Sequence, residues 1–473
     1  MDATLQIRPR LSVLTPEQIE RIHQSSLHIL ATVGMRVDSP RAKEAFVRAI
    51  GGEEEDGRVR IPPELVEDAI ARSPAYIDIY DRRGEFAFRL GPGEAPRFGI
   101  GVTALYYQDP ISNAITPFSR ANMAAMVRMG NRLGAYDLVS TVGVVQDVAP
   151  GVSDLYATLE MIANTIKPLV ALVSDERRYG DVLDMAETLH GDLAEKPFII
   201  PYFNPISPLV MNAGTTDKMF QTIERGLPFI YSNYGMAGAT TPITPAGALV
   251  MLNAELLAGL TWSQLVKPGT PVILGSLPAF FDMRGVGSFY DTHSYLINLA
   301  CAEMMAHYRL PHAGASGSGI GWGADIIGAG HQWMNHLTSV MSAVGMVPFV
   351  GDTFDSKAFS PALAVYANDV ITQARRLAEG FSLDDASLAL EDVAAIGPGG
   401  DFLLSASTLQ HFRNAYFTSD IWPNLSLEGW EAKGRPQPDD LLQQRTLAIL
   451  DDLHPPEDHA ALMARGEAFI RQM

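Results

Sequence analysis

Seven short apolar runs in this sequence end in residues suited to holding a cation. The runs cover 138–146, 168–174, 197–204, 228–235, 271–277, 310–316 and 347–352. At or just past their ends stand Gln146 and Asp147, Ser174 and Asp175, Tyr202, Phe203 and Asn204, Tyr231, Asn233 and Tyr234, Phe280, Phe281 and Asp282, His312 and Ser316, and Asp352 and Asp355. Aromatic faces with a few carboxylates and amides suit a cation that has no hydrogen to donate, such as a quaternary ammonium, because the ring quadrupole attracts charge without needing a donor. Each ring contributes about 0.5–2 kcal/mol, so several must converge. The competing reading is that some of these rings merely fill layers of a core. The candidate pocket is therefore Tyr202, Phe203, Asn204, Tyr231, Asn233, Tyr234, Phe281, Asp282, His312, Ser316, His331 and Asp352.

Other chemistries find less support. His331 and His336 are five apart, so on a helix they diverge by about 140° and cannot chelate one ion. The one cysteine, Cys301, lies in the apolar stretch LINLACAEMM and reads as buried and inert. No bound metal is expected, and no disulfide can form within the chain. The run GASGSGIGWG (314–323) is rich in glycine. No Gly-Lys-Ser/Thr follows it, and the dinucleotide spacing does not fit. It reads as a flexible loop or as a loop shaping a cavity mouth.

The elements that must position these residues follow from pattern. Near-continuous apolar runs separated by helical stretches mean parallel strands covered on both faces. With a weaker eighth run at 387–397, the expected fold is α/β, a (β/α)8 TIM barrel, with an open doubly wound sheet as the alternative. Strand ends in such a barrel carry the chemistry. The clearest helix starts at Thr244-Pro245 and carries Leu249, Leu252, Leu256 and Leu260 on one face; another starts at Ser360-Pro361.

The first part of the chain differs. Thr15-Pro16-Glu17-Gln18 has the residues of a capping box, predicting a helix from Pro16 to about Val33. Further helices are expected after Ser39-Pro40 and Pro62-Pro63, and 76–90 alternates like a hairpin. The expected organisation is an N-terminal α+β extension over 1–134, a barrel over 135–400, and a helical C-terminal segment over 401–473 packed on the barrel.

Composition limits the partners. Lys plus Arg is 35 against 54 Asp plus Glu, a net charge of −19, which argues against a nucleic-acid protein. Apolar residues at 47% and charged residues at 19% fit a large buried core. No signal peptide is legible, and no uncharged apolar stretch reaches about 18 residues, so the expectation is a cytoplasmic protein with no membrane span.

Several segments resemble one family. GMAGATTPITPAGALVMLNAELLAGLTWSQLVKPGTPVILGSLPAFFDMRG (235–285) is closely similar to the trimethylamine methyltransferase family, the corrinoid-dependent amine methyltransferases. FGIGVTALYYQDPISNAITPFSRANM (98–123), NTIKPL (164–169), NPISPL (204–209) and GPGGDFL (397–403) are similar too. The resemblance runs from about residue 11 to about 450. It implies a TIM barrel, a homo-oligomer, and transfer of a methyl group from a methylated amine to cobalt of a corrinoid (cobalamin) carried by a partner protein, with no cofactor held tightly by the chain itself. Founding members of the family carry pyrrolysine near the end of strand six, whereas this chain has only standard residues and GADIIGAGHQ (323–332) after its glycine loop. The better comparison is the pyrrolysine-free branch, which includes enzymes for quaternary amines such as glycine betaine. A quaternary amine leaves without needing a proton, which agrees with strand ends poor in acid–base pairs. Gly317, Gly319 and Trp322 are the expected partner-facing rim. Alternatives are a tertiary methylamine substrate, methyl transfer from corrinoid to tetrahydrofolate, or a non-catalytic binder of quaternary amines.

Overall fold

The computed structural model describes residues 5–51, 57–314 and 319–473. Its centre is a curled eight-stranded sheet. The strands are β1 (Arg97–Ile100), β2 (Leu138–Ser140), β3 (Leu169–Ala171), β4 (Ile199–Phe203), β5 (Phe229–Ala237), β6 (Val272–Asp282), β7 (Gly287–Phe289) and β8 (Met346–Val350). Their spatial order is β7-β6-β5-β4-β3-β2-β1-β8. All neighbours are parallel except β7, which folds back antiparallel on the end of β6. Residues 311–314 lie between β6 and β8: Leu274 N donates to Pro311 O, Ala313 N to Leu274 O at 2.9 Å, and Gly314 N to Met346 O at 3.1 Å.

Six of the eight predicted runs form strands; over its described residues 310–314 makes only bridging contacts between β6 and β8, and the eighth run is exchanged for another segment. The run 387–397 is not a strand; it forms two short helices, Asp385–Leu388 and Leu390–Ile396, without a buried residue. Asp384 accepts from Ser387 N as a cap, and alanines favour the helix. The strand expected there is instead β1, which the sequence reading placed in the N-terminal extension. Its four residues, Arg-Phe-Gly-Ile, are too few to carry a periodic signal.

The helices are α1 (Pro16–Thr32), α2 (Pro40–Ile50), α3 (Pro63–Arg72), α4 (Arg120–Arg132), α5 (Ser153–Asn164), α6 (Tyr179–His190), α7 (Ala213–Glu224), α8 (Pro245–Val266), α9 (Thr292–His307), α10 (Ile326–Met341) and α11 (Pro361–Glu379). The capping box at Thr15 forms as its spacing predicts. Helix α8 is apolar all round, and long and apolar enough to cross a membrane by composition alone. Such a helix must be covered on every side. Here β5 and β6 cover one side while α1, α2, α3 and α9 cover the others. That is the structural task of the N-terminal helices.

Inside the curl, Leu138, Val170, Ile200, Ile230, Ile273 and Met346 meet in one cluster. The hairpin Ile77–Tyr80/Phe86–Leu90 inserts Ile77, Ile79, Phe88 and Leu90 against them. These cluster residues sit at the starts of their strands, so apolar side chains fill the N-terminal end and polar loops collect at the C-terminal ends. After 379 the chain leaves the helix layer, and Pro438–Asp451 and His459–Ile470 return to it, burying Leu442, Ile449, Leu462 and Ile470.

Candidate functional site

Strand period decides which predicted residues meet. Side chains alternate faces along a strand. On β4 and β5 the inward positions are Ile200 and Ile230, so Tyr202, Asn204, Ser232 and Tyr234 follow them inward. Tyr202 packs edge-on against Phe349 with centroids 5.0 Å apart. Asn204 Nδ2 donates to Ser232 O at 2.7 Å and lies 3.4 Å from the Tyr202 hydroxyl. The same period carries Phe281 to the inner side of β6.

Phe203, Tyr231 and Asn233 do not belong to this group. They point outward into the helix layer. Phe203 packs on Tyr179 of α6 and on Phe229. Tyr231 lies on Gly259 of α8, where an added Cβ would come within 2.1 Å of its ring. Asn233 donates to Leu252 O and to Glu255 Oε2, each at 2.9 Å. Tyr231 and Asn233 fill the seam under α8 and Phe203 packs against α6, the layer-filling alternative to a pocket role.

His312 is likewise outward and buried. Gly345 N reaches its Nδ1 at 3.4 Å, its Nε2 has no partner, and burial pushes the imidazole down to about 3. Asp282 accepts from Arg284 N at 2.8 Å and closes the β6–β7 turn. His331 Nδ1 pairs with the Tyr295 hydroxyl at 2.8 Å across the α9–α10 seam. Ser316 and Gly317 lie outside the described residues. Cys301 is buried, its thiol pushed up to about 11.

Two carboxylates complete the inward set. Asp352 is fully buried. Its Oδ2 accepts from Gly319 N at 2.9 Å and from Ser356 Oγ at 2.6 Å, while Oδ1 has no partner. Burial raises the pKa of Asp352 above the ordinary aspartate value, and burial does the same for Asp355. Asp355 acts electrostatically on both Asp352 and Tyr234. The Tyr234 hydroxyl also meets the side chains of Ser288 and Tyr290, and burial raises it too. Tyr234, Asp355, Asp352 and Gly319 thus form one connected group.

The loop carrying these acids is tied to the glycine loop. Phe354, Asp355 and Ser356 all have left-handed φ, between 53° and 62°. Asp355 N donates to Gly319 O at 2.8 Å, Phe354 N to Gly321 O at 3.1 Å, and Thr353 Oγ1 to Gly321 O at 2.9 Å. Gly319 is buried there, and a Cβ on it would come within 2.5 Å of Ser356 N. It is therefore a close-approach glycine and not a rim residue. Trp322, whose carbonyl accepts from Gln108 Nε2 at 2.7 Å, projects into solvent at 71% exposure.

Sequence reasoning omitted Phe349 and Tyr290 from the site. A register shift between Val347 and Val350 places Phe349 inward, and no pattern in the run signals that irregularity. Tyr290 lies beyond β7, a fold-back not legible from the apolar run. Among the described residues no group of three or more His, Cys, Asp or Glu is placed to hold a metal ion.

The sequence profile of the family described as trimethylamine methyltransferase matches residues 2–472. The chain belongs to the trimethylamine methyltransferase family. Glycine betaine methyltransferase of Desulfitobacterium hafniense is 27% identical over 478 residues, covering 99% of this chain and 98% of that protein. Trimethylamine methyltransferase of the same species is 27% identical, covering 96% and 92%. The trimethylamine methyltransferase of Methanosarcina barkeri is 26% identical, covering 85% and 83%. The crystal structure of the Methanosarcina barkeri monomethylamine methyltransferase superposes with a TM-score of 0.56 over 96% of this chain and 90% of that one, at 10% identity, a likeness of fold.

Within this family member, the resemblance segments 204–209 and 235–285 meet at one buried carboxylate. Glu255 of α8 accepts from Ser207 Oγ at 2.8 Å, Leu209 N at 2.7 Å and Asn233 Nδ2 at 2.9 Å. It fixes the loop that follows Asn204 to the outer face of β5.

Proposed function

We propose that the chain transfers a methyl group from a quaternary, betaine-like amine to Co(I) of a corrinoid carried by a separate protein. The observation that carries this reading is the pair of desolvated carboxylates, Asp352 and Asp355, beside Tyr234 at the strand ends. A buried carboxylate resists charging unless a cation meets it. A quaternary ammonium brings charge and no donor, and the rings of Tyr202, Tyr234 and Phe349 suit its methyl groups.

The reduced corrinoid, on its own protein, supplies a strong nucleophile for the methyl carbon. When the carbon–nitrogen bond breaks, its electron pair stays on nitrogen and the amine departs neutral. No proton has to be delivered. The chain's work is to hold the cation, orient one methyl outward and exclude water. Trp322, in the loop before α10, and Ile326, at the start of α10, exposed by 71% and 89%, form the proposed docking rim. Co(I) is readily oxidised, which favours the reducing cytoplasm as the place of reaction.

The same reading takes the curled sheet as a (β/α)8 barrel closed by 310–314, with β7 appended to β6. The barrel then spans 97–379, residues 5–96 cover α8 and plug the N-terminal end, and 380–473 form an outer helical segment.

The test is direct. Purified protein, cob(I)alamin and one amine are mixed anaerobically and methylcobalamin is followed by absorbance. Glycine betaine or tetramethylammonium should react and trimethylamine should not. Reaction with trimethylamine alone would transfer the assignment to tertiary amines, and no methylation from any amine would end it.

A further inference from the structure

A cavity of about 760 Å3 opens at the N-terminal end of the sheet. Three of its lining residues stand at strand starts: Arg97 opens β1, Asp137 precedes β2 and Gly345 precedes β8. Asp352 lies past the other end of β8, so this cavity and the carboxylate group face opposite ends of the curl. Leu11, Leu310 and Val340 supply apolar wall. The volume is that of a small-molecule pocket, about 300–1,000 Å3.

Its charge runs against that of the whole chain. Arg8, Arg10, Arg97 and Arg375 line it against Glu94, Asp137 and Glu379, whereas the chain carries 54 acids to 35 Lys plus Arg. Asp137 is already engaged: it accepts from Phe98 N at 2.8 Å and pairs with Arg375, which also donates to Ala135 O at 3.0 Å. Arg97 is left 3.7 Å from Asp137, too far for a hydrogen bond, and its buried Nε has no partner. The Phe88 ring, 5.3 Å from its guanidinium, holds it at the wall. Arg8 and Arg10 are exposed, and among the described residues their side chains make no ion pair or hydrogen bond.

A structural duty for these two would be to serve the carbonyl ends of α10 and α11, which reach the same cavity. Other groups do so: Leu11 N donates to Met341 O at 2.7 Å, and Gln6 Nε2 to Glu379 O at 3.0 Å. The guanidiniums of Arg8, Arg10 and Arg97 therefore stand uncommitted around one opening, where each repels the others until an anion arrives.

We infer that this cavity binds a small organic anion carrying phosphate or several carboxylate groups. Both groups match the guanidinium fork, which can grip them through paired N–H donors. The apolar wall takes the carbon body, and Glu94 and Glu379 accept from its hydroxyl or amino groups.

Isothermal titration of the full chain with pyrophosphate, AMP and citrate, each against sodium chloride at equal ionic strength, tests this. At least one should bind saturably, and comparing the two phosphates with citrate identifies which charged group is recognised. Arg8→Ala/Arg10→Ala should weaken that binding about tenfold or more, with thermal unfolding in the absence of anion unchanged because neither side chain has a bond to lose. Arg97→Gln should weaken it as well. Tetramethylammonium, at constant ionic strength, should leave the anion's affinity unaltered, because the amine site proposed above lies at the other end. Failure of all three anions to bind, an affinity indifferent to Arg8→Ala/Arg10→Ala, or displacement by tetramethylammonium overturns the inference. Binding is read without methyl transfer, so the result stands apart from the proposed reaction.

Discussion

Glu255 on α8 and Asn233 on β5 are joined by a 2.9 Å hydrogen bond that crosses from helix layer to sheet with no water-exposed atom on the Asn233 side chain's residue. The bond explains why an amide at a strand end, attractive as a ligand, serves instead to hold the strand. Ser276 Oγ donates to the remaining Asn233 oxygen at 2.6 Å, so the amide is saturated from within. Removing the acid leaves Ser207, the Leu209 amide and Asn233 without their acceptor. Glu255→Ala should therefore destabilise the fold by about 3 kcal/mol, the usual scale for stranding buried partners. Denaturant unfolding measures this, and a loss under about 1 kcal/mol would show that the loop re-bonds elsewhere.

Gly319 should not accept a side chain. In Gly319→Ala the new Cβ would meet Ser356 N at 2.5 Å, backbone that cannot swing aside. Displacing 352–356 should cost about 1–3 kcal/mol and weaken amine binding along with it. Calorimetric binding and thermal unfolding on the same preparation check both; unaltered affinity would detach this loop from the pocket.

Asp355 tests the cation reading. Asp355→Asn removes charge with little change in shape. Affinity for a quaternary amine should fall about tenfold, roughly 1.4 kcal/mol. The carbon isostere with a tert-butyl head should bind the wild type and the variant alike. Equal losses for both ligands would assign Asp355 a structural role.

Acid sensitivity should follow buried imidazoles. Burial pushes His336 down to about 3, with nearby Arg375 adding to the shift. An unfolded histidine titrates near 6.5. The unfolded chain therefore binds a proton that the folded one refuses, and stability present above about 6.5 falls as pH drops toward about 3. His312 acts in the same sense. Denaturation midpoints between pH 7 and pH 4 should decline in the wild type and decline less in His336→Gln. Parallel profiles would place the acid limb in other groups.

Trp322 separates substrate from partner. It is exposed, with its carbonyl accepting from Gln108 Nε2 and its amide donating to Asp325 Oδ2. Trp322→Ala should leave amine affinity unchanged and slow methyl transfer to a protein-borne corrinoid more than to free cob(I)alamin. Comparable slowing with both acceptors would remove the rim from the docking surface.

Local signals in the chain determined the helices with Ser, Thr or Pro starts, the hairpin at 77–90, the parallel runs and the family's characteristic segments. Each depends on neighbours within a few residues, where capping, turn chemistry and period are set by covalent spacing. Charge and apolar content determined that the chain is acidic overall and apolar enough for a large core. Tertiary structure decided the rest. Whether Tyr231 or Tyr234 faces the inside of the curl depends on which face of β5 meets α8, and Gly259 leaves the hollow that takes Tyr231. Whether 387–397 extends or coils depends on its having no sheet edge to join, while four residues at 97–100 find one between β2 and β8. Asp352 and Asp355 are brought beside Tyr234 because the loop after β8 is bonded to Gly319 and Gly321, more than 30 residues earlier in the chain. A pattern of period two or 3.6 fixes which residues share a face; which partner that face meets is settled by packing between elements far apart in sequence.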